Sequence, residues 1–154
     1  MLQIVYFCHG NTENMNRLTL KMPQEWMCKV ETVTGPFGTE EQHAYASEPS
    51  SGVEIEVDEA EMPQDSTAPD QALTNYVDMV GFDEDDPEDY NPIEEWIFNN
   101  RKAYGFQVFC DDESQIRVMC QEHHRGRLAV ISVQAASDAG IENAVRLLEK
   151  TLRF

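Results

Sequence analysis

Three apolar runs joined by short polar turns occupy the C-terminal half of the chain: YGFQVFC (104–110), SQIRVMCQE (114–122) and RLAVISVQA (127–135). Their β-branched and aromatic residues are typical of β-strands. The turns between them, 111–113 and 123–126, are too short for a crossover connection, so neighbouring strands must run antiparallel. The third run is almost continuously apolar, which predicts a central strand that is covered on both faces.

The segment that follows, GIENAVRLLEKTLRF (140–154), has a helical pattern. Its apolar residues recur at spacings of four, three and four, as on one face of a helix: Ile141, Val145, Leu148 and Leu152. Ser137 or Asp138 can cap the first turn. We therefore expect a C-terminal amphipathic helix that packs on the antiparallel sheet.

The N-terminal half predicts further strands. Residues 2–7, 17–22 and 26–33 have strand-like composition, and a short strand is expected at 43–47 between turns. In GVEIEVDE (52–59) apolar and acidic residues alternate, which predicts a half-buried strand with one wet face.

A helix is predicted over TAPDQALTNYVDMVG (67–81). Thr67 and Asp70 have the spacing of a capping box, and Gly81 suits the position after the last turn. The helix carries one apolar stripe: Leu73, Tyr76, Val77 and Val80.

A second, short helix is predicted to begin at Asn91. Pro92 would occupy its first position, where a missing N–H is tolerated. Three apolar residues would then face inward: Ile93, Trp96 and Ile97. Together the patterns predict one α+β domain over residues 1–154, with an antiparallel sheet of about six to seven strands flanked by helices.

The chain is strongly acidic. Its 29 Asp and Glu outnumber 11 Lys and Arg, which gives a formal net charge of -18. Such a charge repels phosphate backbones and anionic lipid, so we expect neither nucleic acid nor membrane as a partner. Basic protein surfaces, cations and neutral small molecules remain, and the charge can also serve solubility alone.

Four cysteines, Cys8, Cys28, Cys110 and Cys120, lack CxxC spacing. The N-terminus has no secretion-signal pattern, although translation from Met1 and from Met15 are both compatible with the sequence. We therefore predict free thiols in a reducing compartment, with the cytoplasm as the default.

The order of elements resembles that of the PsbP-like superfamily, which includes the photosystem extrinsic subunit, a Ran-binding nuclear import factor and bacterial proteins of unknown role. The residues that carry the resemblance are LTLKMP (18–23) with Trp26, RLAVISV (127–133), and the terminal helix through Leu152 and Phe154. The resemblance implies an antiparallel sheet flanked by helices and a binding function without catalysis. Some members are chaperones for secreted effectors.

An acidic loop is predicted between the two helices, in FDEDDPEDY (82–90). It has many oxygen ligands for calcium but lacks the glycine and the bidentate glutamate of an EF-hand loop, so we interpret it as solvated or partner-facing. The candidate partner contacts are Asp83, Glu84, Asp85, Asp86, Glu88 and Asp89.

A second candidate contact is the turn that contains His123, His124 and Arg125, the most basic position on an acidic chain. Adjacent histidines in extended backbone project to opposite faces and rarely share one metal ion. We therefore predict an exposed turn that can contact a carboxylate-bearing partner.

No glycine-rich phosphate loop, nucleophile elbow or HExxH motif is present in the sequence. We accordingly predict no catalytic, cofactor or metal residues, and interpret the chain as a non-enzymatic protein-binding or chaperone-like module. Two alternatives remain: a small-molecule or metal-assisted enzyme with a cleft between sheet and helix, and an acidic immunity or inhibitor protein. A homodimer is left open.

Overall fold

The computed structural model describes residues 6–8, 18–35, 38–81, 85, 90–124 and 126–154. In chain order the elements of these ranges are β1 (Tyr6–Cys8), β2 (Thr19–Met22), β3 (Met27–Thr34), β4 (Glu40–Glu48), β5 (Val53–Glu61), α1 (Ala68–Val80), β6 (Glu94–Phe98), β7 (Arg101–Phe109), β8 (Gln115–His123), β9 (Arg127–Ala135), α2 (Asp138–Thr151) and β10 (Leu152–Arg153). The α+β class with an antiparallel sheet is confirmed.

Seven strands form the main sheet in the order β3-β4-β5-β9-β8-β7-β6, and every neighbouring pair is antiparallel. The predicted meander is β7, β8 and β9. As its apolar sequence indicated, β9 is central, between β5 and β8. A smaller sheet has the strand order β1-β2-β10. In it, Leu152 of the C-terminal strand β10 pairs with Leu20 of the N-terminal strand β2.

The main core lies between one face of the large sheet and α2. Ser137 caps α2 by accepting a hydrogen bond from the Gly140 N–H at 3.1 Å. The predicted apolar face of α2 is buried against the sheet, with Ile141 and Leu148 at 0% exposure. Leu152, predicted on the same helical face, lies just past the helix in β10 and is also buried.

On the opposite face, α1 packs against β7 and β8. It covers a smaller core that includes Ala68, Ala72, Cys120 and Leu128. The rest of that face, on β3, β4 and β5, carries mostly polar side chains, with Met27, Val33 and Tyr45 exposed among them. The main sheet therefore has α2 on one side and α1 on the other.

The short helix predicted from Asn91 is wrong, because residues 94–98 form the edge strand β6. Phe98 points inward at 1% exposure while Ile97 is 62% exposed, as alternation in a strand requires. Asn99 and Asn100 have φ of 52° and 65°. This pair closes a two-residue hairpin to β7, a turn that asparagine tolerates well.

The cysteines differ from the expectation of four free thiols. Cys28 is disulfide-bonded, so the prediction is wrong for this residue. Cys110 and Cys120 are free, and the Cys8 side chain lies outside the described part of the chain. Of the first predicted strand, residues 2–7, only the last two residues fall within the description, in β1.

Candidate protein-binding surface and buried polar cluster

The start of α1 forms as its sequence indicates. Thr67 Oγ1 accepts a hydrogen bond from the Asp70 N–H at 3.3 Å, and Asp70 Oδ2 accepts one from the Thr67 N–H at 3.2 Å. This reciprocal capping box satisfies two N–H groups that the helix itself leaves unpaired. At the other end, the Gly81 N–H donates to the Val77 carbonyl at 2.8 Å. The helix is thus fixed at both ends by local sequence.

The face of α1 that packs on the sheet is made of small and polar residues. Ala68 and Ala72 are the buried residues of the helix, and their short side chains let it approach β7 and β8 closely. Tyr76 packs edge-on against Phe106, with ring centroids 5.2 Å apart. Asn75 lies beside this face. The close packing of Ala68 and Ala72 therefore determines which face of α1 is turned toward the sheet.

The larger apolar residues of α1 face solvent. Leu73 is 44% exposed, Val77 38% and Val80 49%. An apolar stripe on a helix of a globular protein ordinarily faces the core. Here only Tyr76 of the predicted stripe packs inward, and the other three residues lie on one flank of the helix, about 80–140° around the axis from Ala72. We call Leu73, Val77 and Val80 the α1 stripe.

The charged side chains of α1 are acidic. Residues 68–80 contain Asp70 and Asp78 but no Lys or Arg, and no basic residue lies in the last turn. The C-terminus of a helix carries about half a negative charge from its aligned peptide dipoles. Asp78 adds a carboxylate to this end. The stripe is thus an apolar ridge on a helix whose charged side chains are all acidic.

The predicted acidic contacts are mostly beyond what the structure describes. Asp83, Glu84, Asp86, Glu88 and Asp89 lie outside the described residues. Asp85 is in a turn and exposed. These six residues therefore stay a prediction.

The two histidines predicted in an exposed turn have different positions. His124 is exposed with φ of 42°, in the turn after β8. His123 is the last residue of β8 and only 2% exposed, so the prediction of exposure is wrong for it. The reason is the alternation of the strand, which turns one histidine inward and its neighbour outward. Arg125 lies outside the described residues.

His123 is buried under the C-terminus of the chain. Its ring stacks on Phe154, with centroids 4.2 Å apart and planes at 15°. Its Nε2 lies 3.3 Å from Oε1 of Glu59. Neither ring nitrogen makes a well-aligned hydrogen bond, so the approach to Glu59 is a close contact without hydrogen-bond geometry. The sequence predicted that His123 contacts a carboxylate of a partner. In the structure, its neighbouring carboxylate is Glu59 of the same chain.

Glu59 is the centre of this cluster and is fully buried. Arg127 donates to its two oxygens, from Nε at 2.6 Å and from Nη2 at 2.9 Å. The hydrogen bonds that Arg127 donates to Glu59 raise the pKa of Arg127, against the opposite effect of burial. Gln42, opposite Glu59 on β4, is also buried and accepts a hydrogen bond from the Leu18 N–H. A polar row thus crosses β4, β5, β9 and β8 inside the fold.

Sequence reasoning missed Glu59 as a buried residue. The signal is the alternation of β5: Val53, Ile55 and Val57 face the core, and Glu59 continues the same parity. An acidic residue on an apolar face requires a cation nearby. Arg127 supplies it from β9.

A histidine–aspartate pair lies on the open face of the sheet. His43 Nδ1 is 2.5 Å from Asp58 Oδ1, and its Nε2 is 3.5 Å from Glu41 Oε2. Burial lowers the pKa of His43, but the hydrogen bond and charge of Asp58, with Glu41, outweigh it and raise the pKa above 6.5. With a carboxylate at each nitrogen, this imidazole is suited to holding a proton and poorly suited to accepting one from a substrate.

No group of three or more His, Cys, Asp and Glu residues in the described ranges is arranged to hold a metal ion. Within the same part of the chain, neither helix is long and apolar enough to cross a membrane. Comparison with protein-family models, with curated proteins and with solved structures found no match.

Proposed function

We propose that this protein is a non-enzymatic, chaperone-like module that binds another protein through the α1 stripe. One observation carries the proposal: Leu73, Val77 and Val80 form an aligned apolar ridge on the outside of a well-capped helix. Scattered single hydrophobic residues are normal on protein surfaces, whereas interaction sites are found at contiguous apolar patches. The negative charge of the chain favours a basic protein over nucleic acid.

The proposal also includes the finer predictions made from sequence. Membership of the PsbP-like superfamily and partner contacts at the acidic loop and the His124 turn remain parts of it. A cytoplasmic location is kept as well, with the disulfide of Cys28 as the observation against it. An acidic immunity or inhibitor protein that binds a basic toxin stays a separate alternative.

The alternative of an enzyme with a sheet–helix cleft finds less support. A cavity of about 330 Å³ lies beside α2, and the residues that line it include Trp26, Val53, Leu147, Glu25 and Glu48. Its lining contains no histidine or cysteine. A general base or nucleophile would have to be Glu25, Glu48 or Ser51, and Ser51 Oγ accepts a hydrogen bond from the Val53 N–H at 3.4 Å.

Photo-crosslinking in the source cells tests the proposal. A benzoylphenylalanine at position 77 samples the α1 stripe, and one at position 27 is the matched control, because Met27 is an exposed apolar residue on the edge strand β3. We expect a discrete protein adduct from position 77 that disappears when Leu73→Ser is added. Absence of an adduct at 77, or the same adducts from both positions, would overturn the proposal.

A further inference from the structure

Resting on the proposed function, we infer that the partner segment that covers the α1 stripe is a basic amphipathic helix. The spacing of the stripe fits a helix, and the acidic end of α1 fits a basic partner. The net charge of the chain disfavours a second copy.

The spacing of the stripe fits a helical partner. Leu73, Val77 and Val80 are four and three residues apart, which is the spacing of the seam between two packed helices. With 13 residues, α1 is about 20 Å long. An extended segment would instead need unpaired backbone groups, as at a sheet edge. The outer side of a helix offers none, so side-chain packing by another helix is the fitting mode.

The charge around the stripe selects a basic partner. Asp78 follows Val77 directly and lies in the last turn, at the negative end of the helix dipole. A carboxylate is unfavourable there, and α1 has no Lys or Arg that compensates it. A partner that brings Lys or Arg to this end relieves the repulsion as it binds. Asp78 is about 100° around the helix axis from Val77, so the basic residues would contact the C-terminal end of α1 beside the apolar contact.

A second copy of the chain is a poor occupant. Two copies would each bring a formal charge of -18 and the same acidic helix end. Like charges across an interface are unfavourable and suppress wrong partners. Charge complementarity therefore favours a different, basic protein over a homodimer through this surface.

Three synthetic peptides test the inference by fluorescence anisotropy. The first, of about 18 residues, forms an amphipathic helix with a leucine seam and lysines elsewhere. The second replaces every lysine with glutamate, and the third scrambles the first so that no apolar face remains. We expect the lysine helix to bind about tenfold or more tightly than either of the others, and less tightly at about 300 mM salt than at about 50 mM.

Variants of the full chain locate the contact. Leu73→Ser/Val77→Ser should abolish the preference for the lysine helix over its scrambled form. Asp78→Lys should weaken binding of the lysine helix by about tenfold, whereas Glu25→Lys should change it by less than about twofold. Both replacements alter the net charge equally, but Glu25 is an exposed residue in the turn beside α2, on the other side of the sheet.

Each contrary outcome has a distinct meaning. Equal binding of the lysine and scrambled peptides, equal weakening by the two charge variants, or no binding of the lysine helix would overturn the inference. Tight binding of the glutamate helix that is lost in Leu73→Ser/Val77→Ser would also overturn it, but would leave the proposed function standing. Self-association of the chain through the stripe in sedimentation experiments would replace the basic helix with a second copy.

Discussion

Glu59 and Arg127 form a bidentate ion pair inside the fold, with N–O distances of 2.6 and 2.9 Å and the carboxylate fully buried. The pair joins β5 to β9, which are neighbours at the centre of the sheet. The desolvation of such a pair offsets much of its attraction, so its presence is weak evidence for stability by itself. Removing one member of the pair is strongly destabilising, because the charge of the other member stays buried without a counter-charge.

Arg127→Met should therefore destabilise the protein strongly. We expect a loss of about 3–5 kcal/mol in the free energy of unfolding, the range for breaking a buried ion pair. Urea denaturation at neutral pH measures it. The matched double variant, Arg127→Met with Glu59→Gln, should recover a large part of the loss because the buried side chain is then neutral. A double variant that is as unstable as the sum of the two single variants would contradict the pairing.

His43 should titrate above the ordinary histidine pKa of 6.5, as Asp58 and Glu41 outweigh the effect of burial. Nuclear magnetic resonance titration of the His43 ring measures this pKa, and Asp58→Asn should lower it. Because the folded pKa is the higher one, the stabilisation is complete below pH 6.5 and is lost as pH rises through the folded pKa. The stability difference between wild type and Asp58→Asn should thus be larger at about pH 5.5 than at about pH 8.5. An unchanged His43 pKa in Asp58→Asn would disprove the contact.

Cys120 should be unreactive in the folded protein. Burial raises the pKa of its thiol to about 12, and the thiolate is the form that alkylating agents attack. With iodoacetamide at about pH 8, mass spectrometry of the peptides should show modification of the half-buried Cys110 well before that of Cys120. In urea both should react. Equal rates in the folded protein would show that Cys120 is accessible.

The outward direction of the α1 stripe can be tested by comparing two leucines. Leu148 on α2 is 0% exposed, and Leu148→Ala should lower the free energy of unfolding by about 2–5 kcal/mol. Leu73 is 44% exposed, and Leu73→Ala should lower it by less than about 1 kcal/mol. Urea denaturation of both variants measures the difference. Similar losses would place Leu73 in the core.

The sheet and the C-terminal helix could be predicted because each has one dominant pattern. Alternation in β5, the nearly continuous apolar run of β9 and the spacing of Ile141, Val145 and Leu148 each favour one structure over the others. The capping box of Thr67 was equally predictable, since it depends on residues three positions apart.

Residues 91–98 were less predictable, because Ile93, Trp96 and Ile97 fit one helical face and Trp96 and Phe98 fit one strand face equally well. The segment is only a few residues long, and its pairing with β7 decides the outcome. The Asn99-Asn100 turn was the available signal for a hairpin.

The candidate site was less predictable still. The rotation of α1 depends on Ala68 and Ala72, whose small side chains fit closely against β7 and β8, and hydrophobicity alone ranks Leu73 and Val77 as the better core residues. The burial of His123 depends on contacts with Glu59 and Phe154, which are distant in sequence. Such long-range contacts leave little trace in local patterns.

The affinity of the partner identified by crosslinking, measured for wild type and for Leu73→Ser/Val77→Ser, tests the central claim most directly. Because both residues are exposed, the double variant should stay folded. We expect its dissociation constant for the purified partner to be higher by about tenfold or more, while Met27→Ser on the edge strand β3 leaves the constant unchanged. Equal affinities of wild type and the double variant would contradict a role of the α1 stripe in binding.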